Sequence, residues 1–455
     1  MGIDTNLSTS VSLSTKLEDE NSTSKAFWLP FTANRNFHKT PRFVQGAHGE
    51  YFIDDRGQQV YDSLSGLWTC GLGHGNPHIG NAINEQYKKL DYMPGFQYSH
   101  HAAFKLADKI VEKLPDPLNH VFFTNSGSES ADTAIKLVRA YWRLKGQSSK
   151  TICIGREKGY HGVNIGGTTL GGINGNRKNF GTFFSADHLT HTLHPDNKFS
   201  QGLPENYGED MANQLLKLID LHDASNIAAV MIEPVSGSAG AIIPPVGYIK
   251  RIKEICEQNN ILLIFDEVIT AFGRLGTWSG AEYFGVVPDV MTFAKQITNG
   301  VIPMGGVVAS SEIYNTFMDQ KTPEHMIEFA HGYTYSAHPM ACATALATLE
   351  VLEQENAIER SAELNKSFGN LIHGLKGTKH VVDIRNCGLI GAVQLASRDG
   401  DAAIRAFEVG YKLWDQGFYV RFGGDTLQFG PMFTTSETQL QRLFNAVSDQ
   451  LNQLD

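Results

Sequence analysis

The chain is 455 residues long, 41% of them hydrophobic, and its 38 basic and 48 acidic residues give a formal net charge of −10. This length exceeds that of one domain of the commonest size, and the negative charge argues against non-specific nucleic-acid binding, which needs a basic surface. Its five cysteines include no CxxC pair, which argues against a disulfide framework or a zinc knuckle and favours a reducing, cytoplasmic location.

The N-terminal segment is rich in serine and threonine and has no apolar core. We therefore expect a flexible tail over residues 1–25 and no signal peptide. No apolar run approaches the ~20 residues that cross a bilayer, so we expect no contact with a membrane. After the tail, residues 51–62 alternate on either side of Asp55-Arg56-Gly57, which predicts a β-hairpin.

From about residue 75, apolar strands alternate with amphipathic helices. Continuous apolar runs indicate strands covered on both faces, as in a parallel sheet. The predicted strands are 120–124, 151–155, 227–232, 261–265 and 289–294, and the predicted helices begin at Glu129, cover 249–255 and run over 339–355. We predict an α/β fold with a large central domain at 75–335 and a smaller α+β domain from both chain ends, 26–74 and 336–455.

Three of these strands are followed by reactive side chains, Glu233, Asp266 and Lys295. In open α/β sheets, ligands bind beyond the carboxyl ends of the strands. A lysine amine of lowered pKa condenses with an aldehyde, and a carboxylate beside a pyridine nitrogen keeps the ring protonated and electron-withdrawing. Alone, Asp266 is equally well explained as a solvated strand cap, and Lys295 as a surface lysine. Together they indicate a site for a pyridine aldehyde.

A phosphate site is the third requirement of such a cofactor. Residues 125–130, Asn-Ser-Gly-Ser-Glu-Ser, lie between a predicted strand and a predicted helix. Free backbone N–H groups at a helix start form an anion cradle, and Gly127 allows close approach. An ordinary N-cap at Ser126 or Ser128 would also explain this motif by itself. Because the chain also contains Asp266 and Lys295 at predicted strand ends, the phosphate site is the favoured interpretation of this motif.

These residues lie in a set of five sequence motifs. The motifs are Asn125-Ser-Gly-Ser-Glu129, Gly159-Tyr-His-Gly162, Glu233-Pro234, Asp266-Glu-Val-Ile-Thr-Ala-Phe-Gly-Arg274 and the Lys295 segment. Together they resemble the class III aminotransferases of pyridoxal-phosphate fold type I. Segments 28–35, 64–70, 294–300 and 420–430 are typical of the ω-amino acid:pyruvate (β-alanine:pyruvate) subgroup. The resemblance runs from about residue 26 to the C-terminus. It implies pyridoxal 5'-phosphate as cofactor and a mostly parallel, seven-stranded central sheet.

The resemblance also implies the cofactor-binding residues. Lys295 would carry the cofactor covalently and act as general acid and base, and Asp266 would pair with the pyridine nitrogen. The backbone amides of Gly127 and Ser128 would hold the phosphate. The other implied cofactor residues are Tyr160 and Val268 against the two ring faces, together with His161 and Glu233. For Tyr160 and Val268, packing in the core is the alternative.

The substrate pocket and the assembly are implied in the same way. Trp68, Arg421 and Gln428 would line the substrate pocket. Thr334, in Gly332-Tyr-Thr-Tyr-Ser336, would reach the phosphate from a second subunit. We therefore expect a homo-oligomer, dimer or tetramer, whose active site is shared between two subunits.

The implied reaction is the transfer of an amino group from β-alanine to pyruvate, giving malonate semialdehyde and L-alanine. A broad-specificity amine:pyruvate transaminase is the nearest alternative. More distant alternatives are an aminomutase or decarboxylase on the same fold and a cofactor-binding regulator. A regulator would need a DNA-reading domain, and the ~25-residue tail is too short for one.

Two other motifs suggest different chemistry. The segment 71–76, Gly-Leu-Gly-His-Gly-Asn, resembles a dinucleotide fingerprint, but it ends in Asn and follows no predicted strand. His74 and His78 have the spacing of helical metal ligands, but Gly75 and Pro77 interrupt a helix there. We expect neither a dinucleotide nor a metal site.

Overall fold

The computed structural model describes residues 24–454. The predicted flexible tail, 1–25, lies outside the described residues except for its last two positions. Within the described range the strands are β1 (Val44–His48), β2 (Tyr51–Asp54), β3 (Gln59–Asp62), β4 (Leu118–Thr124), β5 (Ile152–Arg156), β6 (Ala186–Leu189), β7 (Ile227–Ile232), β8 (Leu262–Asp266), β9 (Val290–Ala294), β10 (Gly305–Ser310), β11 (Val381–Cys387), β12 (Ile390–Leu395), β13 (Phe418–Tyr419), β14 (Arg421–Gly423) and β15 (Thr426–Phe429).

The helices alternate with these strands through the middle of the chain. They are α1 (Asn34–Phe37), α2 (Ser65–Trp68), α3 (Pro77–Lys89), α4 (His101–Val111), α5 (Gly127–Leu144), α6 (Ile165–Leu170), α7 (Asn174–Phe180), α8 (Gly208–Ala212), α9 (Gln214–His222), α10 (Tyr248–Gln258), α11 (Gly280–Phe284), α12 (Ser311–Met318), α13 (Pro339–Gln354), α14 (Ala357–His373), α15 (Ile404–Asp415) and α16 (Glu437–Asn452). Among residues 24–454, no helix is long and apolar enough to span a bilayer.

The central sheet has seven strands in the order β4-β10-β9-β8-β7-β5-β6. All neighbours pair in parallel except β10, which runs antiparallel to both β4 and β9. The predicted mostly parallel, seven-stranded α/β sheet is therefore confirmed. The connection from β9 to β10, residues 295–304, is shorter than the dozen or more residues that a parallel crossover needs, so β10 returns antiparallel.

Alternate residues of the middle strands enter two different hydrophobic cores. In β8, Leu262 and Ile264 pack in one core with α5, while Leu263 and Phe265 pack in the other with α10. All four are buried. This two-sided burial is the reason that the strand reads as a continuous apolar run, and it confirms the interpretation of 261–265 as an internal strand.

Two four-stranded sheets lie outside the central one, in the orders β1-β2-β3-β13 and β11-β12-β15-β14. The predicted hairpin is confirmed as β2 and β3, and the Asp54 carboxylate accepts the backbone N–H groups of Arg56 and Gln58 in its turn. Because β13 pairs with β3, the two ends of the chain meet in one sheet. The domain boundaries near residues 75 and 335 stay a prediction.

Candidate active site

Adjacent strands deliver Asp266 and Lys295 to the same edge of the central sheet. Asp266 is the last residue of β8, and Lys295 follows the last residue of β9. The two strands are parallel neighbours, with Asp266 opposite Thr292. The structure therefore brings together the two residues that the sequence singled out, at the carboxyl ends where ligands bind in such sheets.

Lys295 sits in a left-handed backbone conformation, with φ of 53°. That conformation is costly for a residue with a Cβ, and such strained residues are enriched at functional sites. Burial lowers the pKa of the Lys295 ammonium to about 8, although the charges of Asp266 and Glu233 oppose the shift. At pH 7 roughly one amine in ten would then be neutral, compared with roughly one in three thousand at an ordinary lysine pKa. The amine is thus prepared to attack an aldehyde.

Asp266 is buried, with 5% of its surface exposed, and three groups fix its carboxylate. His161 Nδ1 lies 2.8 Å from Oδ2. The backbone N–H of Val268 and the hydroxyl of Thr292 each donate to Oδ1 at 3.2 Å. A carboxylate held in this way keeps its orientation toward the cavity and toward a ligand that brings a protonated nitrogen.

Glu233 follows β7 and is the third of the reactive strand-end residues. Its Oε1 accepts the backbone N–H of Tyr160 at 2.9 Å. Burial raises the pKa of Glu233, and the proximity of His161 opposes that shift. Glu233 therefore positions the segment that carries Tyr160 and His161, the latter of which contacts Asp266.

The N-terminus of α5 forms another part of the site. Ser126 is the N-cap, and its hydroxyl accepts the N–H of Glu129 at 3.2 Å. A Cβ at Gly127 would lie 2.9 Å from the methyl groups of Val268, so only glycine allows this approach. Ser128 Oγ accepts the N–H of Val163 at 3.1 Å, so Ser128 does not cap its own helix. The N–H groups at this helix start suit an anion.

One cavity of about 190 Å³ joins these groups. Its lining includes Gly127, Ser128, Tyr160, His161, Glu233, Asp266, Val268 and Lys295. It thus combines a reactive amine, a buried carboxylate, a helix N-terminus, an aromatic ring and an aliphatic side chain. These are the groups that an aldehyde-bearing pyridine phosphate needs, so the residues fit that cofactor.

The three predicted substrate residues lie together close to this cavity. Arg421 and Gln428 are opposite each other in the β14–β15 pair, and the guanidinium of Arg421 lies 5.5 Å from the centre of the Trp68 ring. Burial lowers the pKa of Arg421, and its charge helps to lower that of Lys295. Within residues 24–454 the Arg421 guanidinium has no carboxylate or hydrogen-bond partner, so it is available to a ligand.

Thr334 is the one predicted cofactor-binding residue that is not in the lining of this cavity. It is exposed. The hydroxyl of Tyr92 donates to its backbone carbonyl at 3.1 Å. An exposed threonine is compatible with a contact to a second subunit, and that contact stays a prediction.

The glycine-rich segment 71–76 is a structural loop that is bound to the Lys295 turn. Gln296 Oε1 accepts the N–H of Gly71 at 2.7 Å, and Asn299 Oδ1 accepts the N–H of Leu72 at 3.0 Å. Asn299 Nδ2 also donates to the carbonyl of Gly73 at 2.8 Å. Sequence reasoning missed Gln296 and Asn299, because residues that bind partners about 225 positions away leave no local signal in the sequence.

The chain is similar to known aminotransferases in both sequence and structure. The aminotransferase class-III family matches residues 32–451. A β-alanine–pyruvate aminotransferase of Pseudomonas aeruginosa is 63% identical over 94% of this chain and 96% of its own. An ω-amino acid–pyruvate aminotransferase of Pseudomonas putida is 60% identical over 94% and 96%. The crystal structure of an ω-transaminase from Pseudomonas jessenii in complex with PMP superposes with a TM-score of 0.88 at 29% identity, covering 94% of this chain and 96% of that one.

Proposed function

Because this chain belongs to the class-III aminotransferases, which are dependent on pyridoxal 5'-phosphate, we propose that it transfers the amino group of an ω-amino acid, β-alanine, to pyruvate. The products are malonate semialdehyde and L-alanine. The observation that supports the choice of substrates is the partly buried guanidinium of Arg421. Among the described residues it has no carboxylate and no hydrogen-bond partner. A guanidinium binds a carboxylate through two parallel hydrogen bonds, and β-alanine and pyruvate each bring one carboxylate.

The residues of the cavity divide the chemistry between them. When bound, pyridoxal 5'-phosphate supplies an electron-withdrawing ring that stabilises negative charge on the substrate carbon. Lys295 Nζ would take the proton from the substrate carbon that bears the amino group, as general base, and would then deliver it to the cofactor carbon, as general acid. Asp266 keeps the pyridine nitrogen protonated, and His161 holds Asp266. Tyr160 and Val268 pack against the ring.

The phosphate and the substrate occupy different ends of this arrangement. The backbone N–H groups of Gly127 and Ser128 bind the phosphate at the start of α5. Arg421 binds the substrate carboxylate, with Gln428 and Trp68 beside it. Glu233 acts by positioning Tyr160 through its hydrogen bond. The unpaired state of all five cysteines, each within the described range, supports our placing the enzyme in the cytoplasm.

Arg421→Ala is expected to lower kcat/KM for β-alanine with pyruvate by about 100-fold or more, since each charge-assisted hydrogen bond contributes about 1.5–3 kcal/mol. Transfer from an uncharged amine to an uncharged aldehyde should change little. The measurement is alanine, or the aminated acceptor, formed by wild type and variant with a panel of donors. Arg421→Lys is the matched control, because it keeps the charge and loses the fork, and it should be intermediate.

The same panel separates the alternatives. Equal loss with charged and uncharged substrates would mean that Arg421 supports the fold, and the proposed substrate pair would lose its support. Preference of the wild type for uncharged amines would favour the broad-specificity amine:pyruvate transaminase. Turnover of an amine without added keto acid would favour an aminomutase or a decarboxylase.

For the shared site, we propose that Thr334 binds the phosphate of the neighbouring subunit. Thr334→Ala should weaken cofactor binding by roughly 10–100-fold, the equivalent of one hydrogen bond to a charged group. Hybrid dimers of Thr334→Ala and Lys295→Ala chains test the sharing. If Thr334 acts across the interface, each hybrid has one intact site and binds cofactor in it with wild-type affinity. Activity that appears only at the high cofactor concentration that the Thr334→Ala homodimer needs would place Thr334 in its own subunit's site.

A further inference from the structure

A second cavity, of about 410 Å³, lies at the same edge of the central sheet as the cofactor cavity. Lys158 stands two residues beyond the end of β5, and His191 two residues beyond the end of β6. The opposite wall comes from β11 and β12, through Asp383, Arg385 and Gln394. It therefore has the position of a ligand site in an α/β sheet, beyond the carboxyl ends of parallel strands.

The lining of this second cavity is basic although the whole chain is acidic. Lys158 and Lys198 are exposed at its rim, and His191 and His194 are half-buried. Neither lysine ammonium has a hydrogen-bond or ion-pair partner within residues 24–454. Burial, followed by the charge of Lys158, lowers the pKa of His191, so that ammonium lies close to the imidazole.

The buried wall contributes rigidity and no excess charge. Arg385 forms an ion pair with Asp383, whose other oxygen accepts the N–H of Phe199 at 2.7 Å. Arg385 Nη2 also donates to the carbonyl of Gly240 at 2.8 Å. The two rim lysines thus carry the positive charge of the lining that has no ion-pair partner among residues 24–454, while the carboxylates of Glu157 and Asp196 lie beside His191 and His194.

A single loop contacts both this buried wall and one of the predicted substrate residues. Ser238 lies in the loop that Arg385 holds through Gly240, and its carbonyl accepts Gln428 Nε2 at 3.0 Å. The loop around 237–241 therefore connects Arg385, in the lining of the second cavity, to Gln428, a predicted substrate residue. The second cavity and the cofactor cavity have no lining residue in common.

We propose that the second cavity binds a small, multiply charged oxyanion, a phosphate ester or a polycarboxylate, between Lys158 and Lys198. Paired ammonium groups over a concave surface attract such an anion by charge and bind its oxygens through charge-assisted hydrogen bonds. The half-buried imidazoles supply additional donors. A singly charged keto acid would gain less from two ammonium groups, so this ligand class differs from that of the proposed substrates.

The test is calorimetric titration of the cofactor-loaded enzyme with inorganic phosphate in one arm and citrate in the other, at constant ionic strength set with chloride. The cofactor's own phosphate occupies the cradle at Gly127, so that site does not compete. We expect saturable binding of at least one probe, about tenfold or more weaker in Lys158→Ala/Lys198→Ala, since each lost charge-assisted bond is worth roughly tenfold. The stronger arm identifies the class.

Two controls keep the result specific. Lys217→Ala/Lys366→Ala removes the same charge from exposed lysines on α9 and α14 and should bind the probe like wild type. Arg421→Ala should also retain binding, which separates this cavity from the substrate pocket. Absence of saturable binding of either probe, loss of equal size in the two double variants, or loss in Arg421→Ala would each overturn the proposal.

Discussion

Replacing Lys295 by alanine is expected to lower kcat by more than about 10⁴-fold. General acid–base catalysis alone contributes about 10²–10⁴-fold, and the variant also loses the covalent attachment of the cofactor. The contacts proposed for Gly127, Ser128 and Tyr160 with the phosphate and the ring would remain, so the variant should still bind cofactor without a covalent bond. Steady-state alanine formation measures the first effect, and cofactor retained after borohydride reduction followed by denaturation measures the second.

Labelling distinguishes Lys295 from a lysine that is merely buried. Burial also lowers the pKa of Lys150, which precedes β5, to about 8. Its ammonium, however, donates to the backbone carbonyls of Ala224, Ile227 and Asn260. Borohydride reduction of the loaded enzyme, followed by peptide mapping, should therefore label the Lys295 peptide and leave Lys150 unlabelled. A label on any other lysine, or a protein that takes up no cofactor, contradicts the assignment.

The second large effect is expected for Asp266→Asn. The variant keeps the shape of the side chain and removes the charge that holds a proton on the pyridine nitrogen. Because the ring then withdraws electrons less strongly when the substrate carbon loses its proton, kcat should fall on the order of 10²–10³-fold, as with loss of one preorganised electrostatic contact. KM should change little, since the loss occurs in the transition state.

The neighbouring residue offers a matched control. Glu267 is also buried, and its carboxylate accepts the backbone N–H groups of Gly280 and Ala281 and the Thr270 hydroxyl. Burial raises the pKa of Glu267 to about 7. Glu267→Gln should lower the melting temperature and leave kcat within a few-fold of wild type. An equal loss of kcat in both variants would mean that Asp266, like Glu267, serves the end of the strand.

The sequence predicted those parts of the fold that have a local signature. The internal strands read as apolar runs because both of their faces are buried, and Asp266 and Lys295 stand at strand ends that such runs define. Strand β10 escaped prediction because it begins with two glycines, which are poor strand formers. The structure supplies the reason for them: a Cβ at Gly305 would lie 2.7 Å from Ser130 Oγ, and one at Gly306 would contact the Phe293 ring closely.

Long-range contacts limit how much of the site can be predicted from the sequence. Gln296 and Asn299 bind a loop more than 200 residues earlier, and no pattern within either segment reveals that pairing. The roles of Trp68, Tyr160 and Val268 came from resemblance to a family, and not from the residues alone. The proposed contact of Thr334 across subunits came from the same resemblance.

The position of β10 also dictates when the site can form during synthesis. The strand that leads to Gly127, β4, reaches the rest of the central sheet only through β10, which ends at residue 310. In a nascent chain β4 therefore gains its strand partner only after β10 has emerged from the ribosome. Arg421 follows 111 residues after residue 310, which at about 5–20 residues per second is roughly 5–20 s later. At the start of that interval the growing chain already has Gly127, Asp266 and Lys295, and throughout it lacks the arginine proposed to select its substrates.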